Sequence, residues 1–321
     1  MARVPARPWR QQRRQWQREP DSQPRDRARA HLEEDSVTTI LTILIAILGL
    51  LIGSFLNVVI YRLPKHESLS TPPSHCTSCR RQLAWYENIP LLSWLVLRGR
   101  CRTCGSRISP RYPVIELLTG LLFLATALRF APDLVGAPTP ADAVARGSIL
   151  IAALWFVAAS IALAMIDLDT QTLPNRIIYP SATVIAALYL IAMASGMIGV
   201  TSAGAGSAWN GALTALLGAL ILGVLYLIIA FVSPRGMGMG DVKYAVLIGL
   251  TLGWHGWSYI ILGVLLPFLI GGIVAAILLV TGRVRRKTGI PFGPSMALGG
   301  VAALEWGGTL MSAYLSLWGL A

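Results

Sequence analysis

Pro234-Arg235-Gly236-Met237-Gly238-Met239-Gly240-Asp241-Val242-Lys243 is a short polar break between two long apolar runs, residues 211–232 and 242–255. A carboxylate at the mouth of an apolar segment is costly to place. Three alternating glycines, Gly236, Gly238 and Gly240, lead into it. The same alternation of apolar run and polar break repeats along the chain. Of its 321 residues, 55% are hydrophobic and only 13% charged, where a soluble domain carries about 25% charged residues. Mean hydropathy is +0.62. Runs of about 20 residues match a hydrocarbon core of about 30 Å at about 1.5 Å per helical residue. They are continuously apolar rather than alternating at period two, which excludes a β-barrel. The fold class is an all-α polytopic membrane protein.

Residues 1–36 form a polar tail with nine arginines (Arg3 to Arg29) and six acids, a composition expected to be disordered. Residues 37–60 read as the first transmembrane helix and residues 61–112 as a hydrophilic module. Residues 113–321 read as a seven-helix membrane domain, with apolar runs at 113–130, 148–166, 177–198, 211–232, 242–255, 257–281 and 294–318. That makes about eight transmembrane helices.

Lysine and arginine counts orient these helices. Taken as one face, residues 61–112 carry nine, 167–176 one, 233–243 two and 282–293 four. The opposite loops carry only Arg129 and Arg146. Sixteen against two places the module on the cytoplasmic side, although the tail's nine arginines then lie outside, against the rule. The net charge of +12 is confined to loops and tail, so it is not read as nucleic-acid binding.

The orientation brings two carboxylates to one face. Asp167 closes the third apolar run in Ile166-Asp167-Leu168-Asp169-Thr170-Gln171-Thr172-Leu173-Pro174-Asn175, and Asp241 opens the sixth. Pro174 stops the helix and turns the chain. Two carboxylates from separate helix ends suit aspartyl proteolysis, in which one activates water and the other, protonated, polarises the carbonyl. The positive end of a helix dipole favours ionisation of Asp241, with Lys243 and Arg235 adding to it, and the negative end disfavours ionisation of Asp167. Asp241 is therefore the expected base and Asp167 the expected acid, titrating as a unit. Against this, an aspartate at a helix N-terminus is a common cap. Asp169 competes with Asp167, but two residues apart on a helix only one of them can face Asp241. The glycines do not form a phosphate loop, lacking its Gly-Lys-Ser/Thr ending.

All four cysteines lie in the module, as Cys76-x2-Cys79 and Cys101-x2-Cys104 with 21 residues between the pairs. Four thiolates at this spacing make a tetrahedral structural zinc site. Disulfides or a redox pair are the competing readings, disfavoured in a cytoplasmic loop. His75 is read as a surface residue. A module this small has little core, so the metal is expected to supply its folding energy.

These residues match a family. Gly238-x-Gly240-Asp241 and Asp167…Leu173-Pro174-Asn175 resemble the type IV prepilin peptidases, bacterial inner-membrane aspartyl proteases of the GxGD type. So do Gly53-Ser54-Phe55-Leu56-Asn57…Arg62-Leu63-Pro64, Tyr86-Glu87-Asn88-Ile89-Pro90…Ser93-Trp94-Leu95 and Arg98-Gly99-Arg100-Cys101-Arg102-x-Cys104-Gly105. Ile108-Ser109-x-Arg111-Tyr112-Pro113…Glu116-Leu117 and Ile290-Pro291-Phe292-Gly293-Pro294 extend the resemblance over about residues 50–300. It departs at Asn175, where the family often has Asp. The resemblance implies that Asp167 and Asp241 are the catalytic pair and that the partners are prepilin and pseudopilin substrates in the lipid bilayer of the inner membrane. It implies cleavage of a basic leader at the cytoplasmic edge of the substrate helix. It also implies N-methylation of the new terminus with S-adenosylmethionine as methyl donor, to which no residue is assigned.

The alternative class is an ion-coupled membrane transporter with a regulatory zinc module, which would place its acids near mid-bilayer. A third is an inactive assembly factor, expected to have lost one aspartate. Glu116 reads as an interfacial cap, and Glu305 has no partner that the sequence names. Trp85, Trp94, Trp254 and Trp257 read as interfacial anchors, and His255 as a residue of an outer turn.

Overall fold

The computed structural model describes residues 24–198, 204–233, 236–282 and 291–319. The long helices are α1 (Pro24–Arg62), α3 (Arg111–Val135), α4 (Pro140–Thr170), α5 (Asn175–Ile198), α6 (Gly204–Val232), α7 (Met239–Gly253), α8 (Trp257–Val280) and α9 (Gly293–Leu317). Between α1 and α3 lie two single 3-10 turns and the short helix α2 (Leu92–Val96). The described residues contain no strand, only the isolated bridges His75–Gln82 and Arg100–Arg107.

In an apolar solvent every backbone amide must pair within its own segment, so the apolar runs fold as helices. Each of the seven later runs falls in one of α3 to α9. Six described helices are long and apolar enough to cross a membrane: those in α1, α3, α4, α5, α6 and α8. At 15 residues, α7 is only about 22 Å long, and α9 is long enough but carries Glu305 and five glycines. The expected count of eight is thus matched in long helices but not in spans of that kind.

The first helix differs from expectation. It begins at Pro24, so residues 24–36 are helical rather than a disordered part of the tail; residues 1–23 lie outside the described residues. Once the apolar run has nucleated the helix, extending it upstream costs little through Arg, Ala, Leu and Glu, which are good helix formers.

The core sits around α4, which packs on α1, α3, α5 and α9. The tightest crossing joins α6 and α7. A Cβ on Gly249 would stand 2.2 Å from the Gly218 carbonyl oxygen, and one on Gly253 2.4 Å from that of Thr214. Small residues let the backbones touch here, as in other membrane bundles, and the crossing sets the position of α7 and so of Asp241.

Away from the module, α3, α8 and α9 share a buried polar group. Glu305, 5% exposed, accepts from Thr126 Oγ1 at 2.5 Å, and its carbonyl accepts from Arg129 at 3.1 Å. Arg129 also donates to the Tyr259 hydroxyl. The partner of Glu305 therefore comes from a residue 179 positions earlier, which a linear reading does not reach. His255 packs between the rings of Phe130 and Tyr259. Thr126→Val would leave the Glu305 carboxyl without its donor. Thermal unfolding in detergent should show a destabilisation of about 1–3 kcal/mol, the cost of a buried polar group that loses its partner.

Candidate active site and metal centre

Helix α4 starts at a Thr139 N-cap, whose hydroxyl accepts from Asp142 N–H at 3.1 Å, with Pro140 in its first turn. It ends in a left-handed residue, Gln171 (φ 52°), whose N–H donates to the Asp167 carbonyl. Asp167 is thereby held in the last turn, and Pro174 prevents the helix from resuming. Helix α7 starts at Gly238, whose N–H donates to Asp241 Oδ2 at 2.8 Å. This is the acidic half of a capping box.

Both carboxylates line one cavity of about 320 Å³, together with Gln171, Leu173, Asn175, Gly240 and Lys243. Asp167 is 5% exposed and accepts from Gly293 N–H at 2.9 Å. Asp169 points elsewhere, pairing with Arg111 through two hydrogen bonds of 2.7 and 2.8 Å. The competition between Asp167 and Asp169 is thus resolved by direction: Asp167 faces the cavity and Asp169 ties the end of α4 to the start of α3.

Two expectations change. Gly293 opens α9, so the Asp167 carboxylate sits at a helix N-terminus just as Asp241 does, although it belongs to the C-terminal turn of its own helix. The dipole argument that separated a base from an acid is thereby offset, because the C-terminal end of α4 and the N-terminal end of α9 act on Asp167 in opposite senses. Lys243 lies in the cavity wall but donates to Asn175 Oδ1 at 3.1 Å and stands over the Tyr179 ring. Arg235, the other expected cation, lies outside the described residues, as does Ile290.

The closest backbone approach to the two carboxylates is at Gly293, outside the glycine-rich motif. A Cβ on Gly238 would make ordinary contact, 3.6 Å from Asp241 Oδ2, and one on Gly240 would press on Leu173 Cβ at 3.0 Å. A Cβ on Gly293 would stand 2.6 Å from Asp167 Oδ2. In the sequence Gly293 is only one member of the Ile290-Pro291-Phe292-Gly293-Pro294 motif. Its signal was the Pro291-Phe292-Gly293-Pro294 turn, which announces a helix start but not what that start touches.

The module stands on α1 and α3. Arg62, 7% exposed, donates to the carbonyls of Ser68 and Pro72 at 3.0 and 2.7 Å. Glu116, expected as a cap, accepts from Leu91 N–H at 2.8 Å and so caps α2 rather than its own helix. Trp94 is not an interfacial anchor: it packs within the module against Gly99, and its Nε1 donates to the Ile108 carbonyl. Trp254 instead stacks on Tyr189, with ring centroids 4.4 Å apart, while Trp85 and Trp257 are exposed. Glu87 accepts twice from Arg81 Nη2, at 2.6 and 2.7 Å, and once from Ala84 N–H. The Ala84 amide first, and Arg81 with it, hold the Glu87 carboxyl below its ordinary range.

The four cysteine sulfurs lie within 4.8 Å of one another, none in a disulfide. Cys76 Sγ and Cys104 Sγ are 3.8 Å apart, the separation of about 3.8 Å that tetrahedral zinc with sulfurs at about 2.3 Å requires. The two pairs are built alike. Cys76 N–H donates to the Arg81 carbonyl and Cys101 N–H to that of Ser106, while Arg80 N–H and Gly105 N–H return to the first cysteine of each pair. Arg80 and Gly105 both turn the chain with positive φ, 56° and 69°. The Cys79 amide foremost, with the Ser106 hydroxyl, holds the Cys76 thiol below its ordinary range, in the direction that favours the thiolate a metal ligand needs. Donor set and spacing fit a metal ion.

Residues 47–130 match the Bacterial Peptidase A24 N-terminal domain and residues 154–280 the Type IV leader peptidase family. The first stretch holds the four cysteines and the second both aspartates. A prepilin leader peptidase/N-methyltransferase of Stutzerimonas stutzeri is 33% identical over 293 residues, covering 84% of this chain and 92% of its own. One from Bacillus subtilis (strain 168) is 34% identical over 271 residues, covering 84% and 96%. One from Myxococcus xanthus (strain DK1622) is 39% identical over 249 residues, covering 75% and 64%. No solved structure matches the chain. With a bundle of apolar helices, two aspartates on one cavity and matches over most of its length, the chain belongs to the prepilin leader peptidase/N-methyltransferase family.

Proposed function

We propose that Asp167 and Asp241 are the catalytic dyad of a membrane aspartyl endopeptidase acting at the cytoplasmic face of the bacterial inner membrane. It removes the basic leader from type IV prepilins and pseudopilins and methylates the new N-terminal residue, with S-adenosylmethionine as donor. Residues 61–112 are its zinc module and residues 113–321 its peptidase domain. The observation that carries this reading is the shared cavity: two carboxylates from different helices, each fixed by one amide at a helix start, with room beside them for a peptide. Two carboxylates converging on one scissile carbonyl would share one proton. The ionised member takes a proton from water, whose oxygen attacks the scissile carbonyl carbon, and the protonated member donates to the carbonyl oxygen. Collapse of the tetrahedral diol breaks the C–N bond, and a proton passes to the leaving amine. A transporter would carry its acids mid-bilayer, whereas these stand at helix ends on the module side.

No residue is assigned to the methyl donor. Without a strand among the described residues there is no βαβ cradle of dinucleotide type. The purified protein should remove the leader from a prepilin without S-adenosylmethionine, and add one methyl group only when it is supplied, read by intact mass. A leader left intact under both conditions would overturn the proposal.

Zinc held by Cys76, Cys79, Cys101 and Cys104 would cross-link the two turns of a module with little core of its own. Metal analysis should find about one zinc per chain, and Cys101→Ser should abolish it and open residues 61–112 to protease. A zinc-free protein with an equally resistant module would overturn this.

A further inference from the structure

Three hydroxyls in the centre of the bundle have no protein partner: Ser160 Oγ, Tyr226 Oη and Tyr244 Oη. All three residues are 0% exposed. The bundle does satisfy a buried tyrosine elsewhere, since the Tyr189 hydroxyl donates to the Thr251 carbonyl at 3.1 Å. An unsatisfied buried hydroxyl is costly, and phenylalanine or alanine would fill the same space without that cost.

Their positions relate them to the aspartates. Tyr244 follows Asp241 by three residues on α7, and Ser160 precedes Asp167 by seven on α4. Both spacings keep the side chain on the helix face that carries the aspartate, one turn deeper in the first case and two in the second. Tyr226 enters from α6 with its ring beside Phe268 and Phe292, centroids 5.4 and 6.3 Å away, and Phe292 immediately precedes Gly293. Tyr226 is a neighbour of both Asp241 and Tyr244. Ser160 neighbours Tyr244 but not in hydrogen-bond geometry. Three orphan hydroxyls from three helices therefore lie deeper in the bundle than the two carboxylates, with Ser160 beside Tyr244.

We infer that Ser160, Tyr226 and Tyr244 line an internal hydration site, which supplies the water that Asp167 and Asp241 activate. The inference rests on the dyad reading above. Hydrolysis consumes one water for each bond cut, and a substrate chain seated in the cavity displaces the water there. A water stored on the far side of the carboxylates survives that displacement. A buried water needs about two to four polar partners, and the three hydroxyls with the Asp241 carboxylate provide them. Tyr226 and Tyr244 are then positioning residues: they hold the nucleophile, and the aspartates do the proton transfers.

Synchrotron hydroxyl-radical labelling of the full chain in ¹⁸O water tests occupancy. Radicals born from bound water oxidise the rings beside it, so Tyr226 and Tyr244 should take up label several-fold above Tyr189, which is slightly more exposed, at 4%, but pairs with the backbone. Kinetics test the role. Tyr226→Phe and Tyr244→Phe should each lower kcat for leader removal by roughly tenfold with KM within about twofold. Methylation of a pre-cleaved pilin should be unchanged in both, which also reports that the variants fold. Label no higher than at Tyr189, or wild-type kcat in both Phe variants, would overturn the inference while leaving the dyad intact, provided Asp241→Asn is inactive in the same assay. Cleavage retained by Asp241→Asn would overturn both readings.

Discussion

Asp167→Asn and Asp241→Asn are each expected to slow leader removal by about 10³-fold or more, within the range seen when a general acid or base is removed. The amide keeps the size and the hydrogen bond from Gly293 or Gly238, so the bundle should fold, but it can neither take a proton from water nor hold the shared one. The double variant should be little worse than either single one, because groups acting as a unit are lost together. Asp169→Asn is the control. Its ion pair with Arg111 is partly exposed, 38% on each side, and such a pair is worth about 0–1 kcal/mol. Its rate should stay within about twofold of the unaltered protein. Time courses read by intact mass distinguish these cases, and near-normal cleavage by either dyad variant would exclude Asp167 and Asp241 as the pair.

The second large effect is expected at a residue with no chemistry of its own. In Gly293→Ala the new methyl would sit 2.6 Å from Asp167 Oδ2 and 3.0 Å from its Cγ. Either the carboxylate turns away and loses the Gly293 amide, or the start of α9 moves. Displacement of a reacting group by about 1 Å costs about 10²-fold, and cleavage should fall by that much. Methylation of a pre-cleaved pilin should persist. Gly238→Ala, inside the glycine-rich motif itself, meets only a 3.6 Å contact at φ −90° and should cost less than about threefold. If Gly238→Ala proved the more damaging, the cradle at Gly293 would not be what holds the dyad.

The contrast shows how much of the site was legible in the chain. Asp167, Asp241 and the four cysteines stood out because each is a rare residue type in a place that taxes it: a carboxylate at the end of an apolar run, four thiols in one loop. Their side-chain chemistry is local, so local sequence reports it. Gly293 was not legible in the same way, since its importance lies 126 residues away in Asp167. Tyr226 and Tyr244 looked like ordinary members of apolar helices. Only packing shows that their hydroxyls meet no protein partner, and that Ser160 joins them. The helix-dipole argument was incomplete for a related reason. It used the helix to which Asp167 belongs, whereas its carboxylate also accepts from the first amide of a helix that begins far along the chain.

What the sequence determined by itself was the class of fold, the helix positions and the chemistry-bearing residues. Continuous apolar runs in lipid have one backbone solution, and rare polar residues within them are expensive enough to mark themselves. The tertiary structure alone decided where Asp169 turns, onto Arg111, and which glycine lets the backbone reach Asp167. It also decided where Glu305 finds its partner and which buried hydroxyls are left without one. Those outcomes depend on contacts between helices distant in sequence, set by close-packed crossings such as Gly218 on Gly249, and no periodicity along one helix encodes the identity of its neighbour.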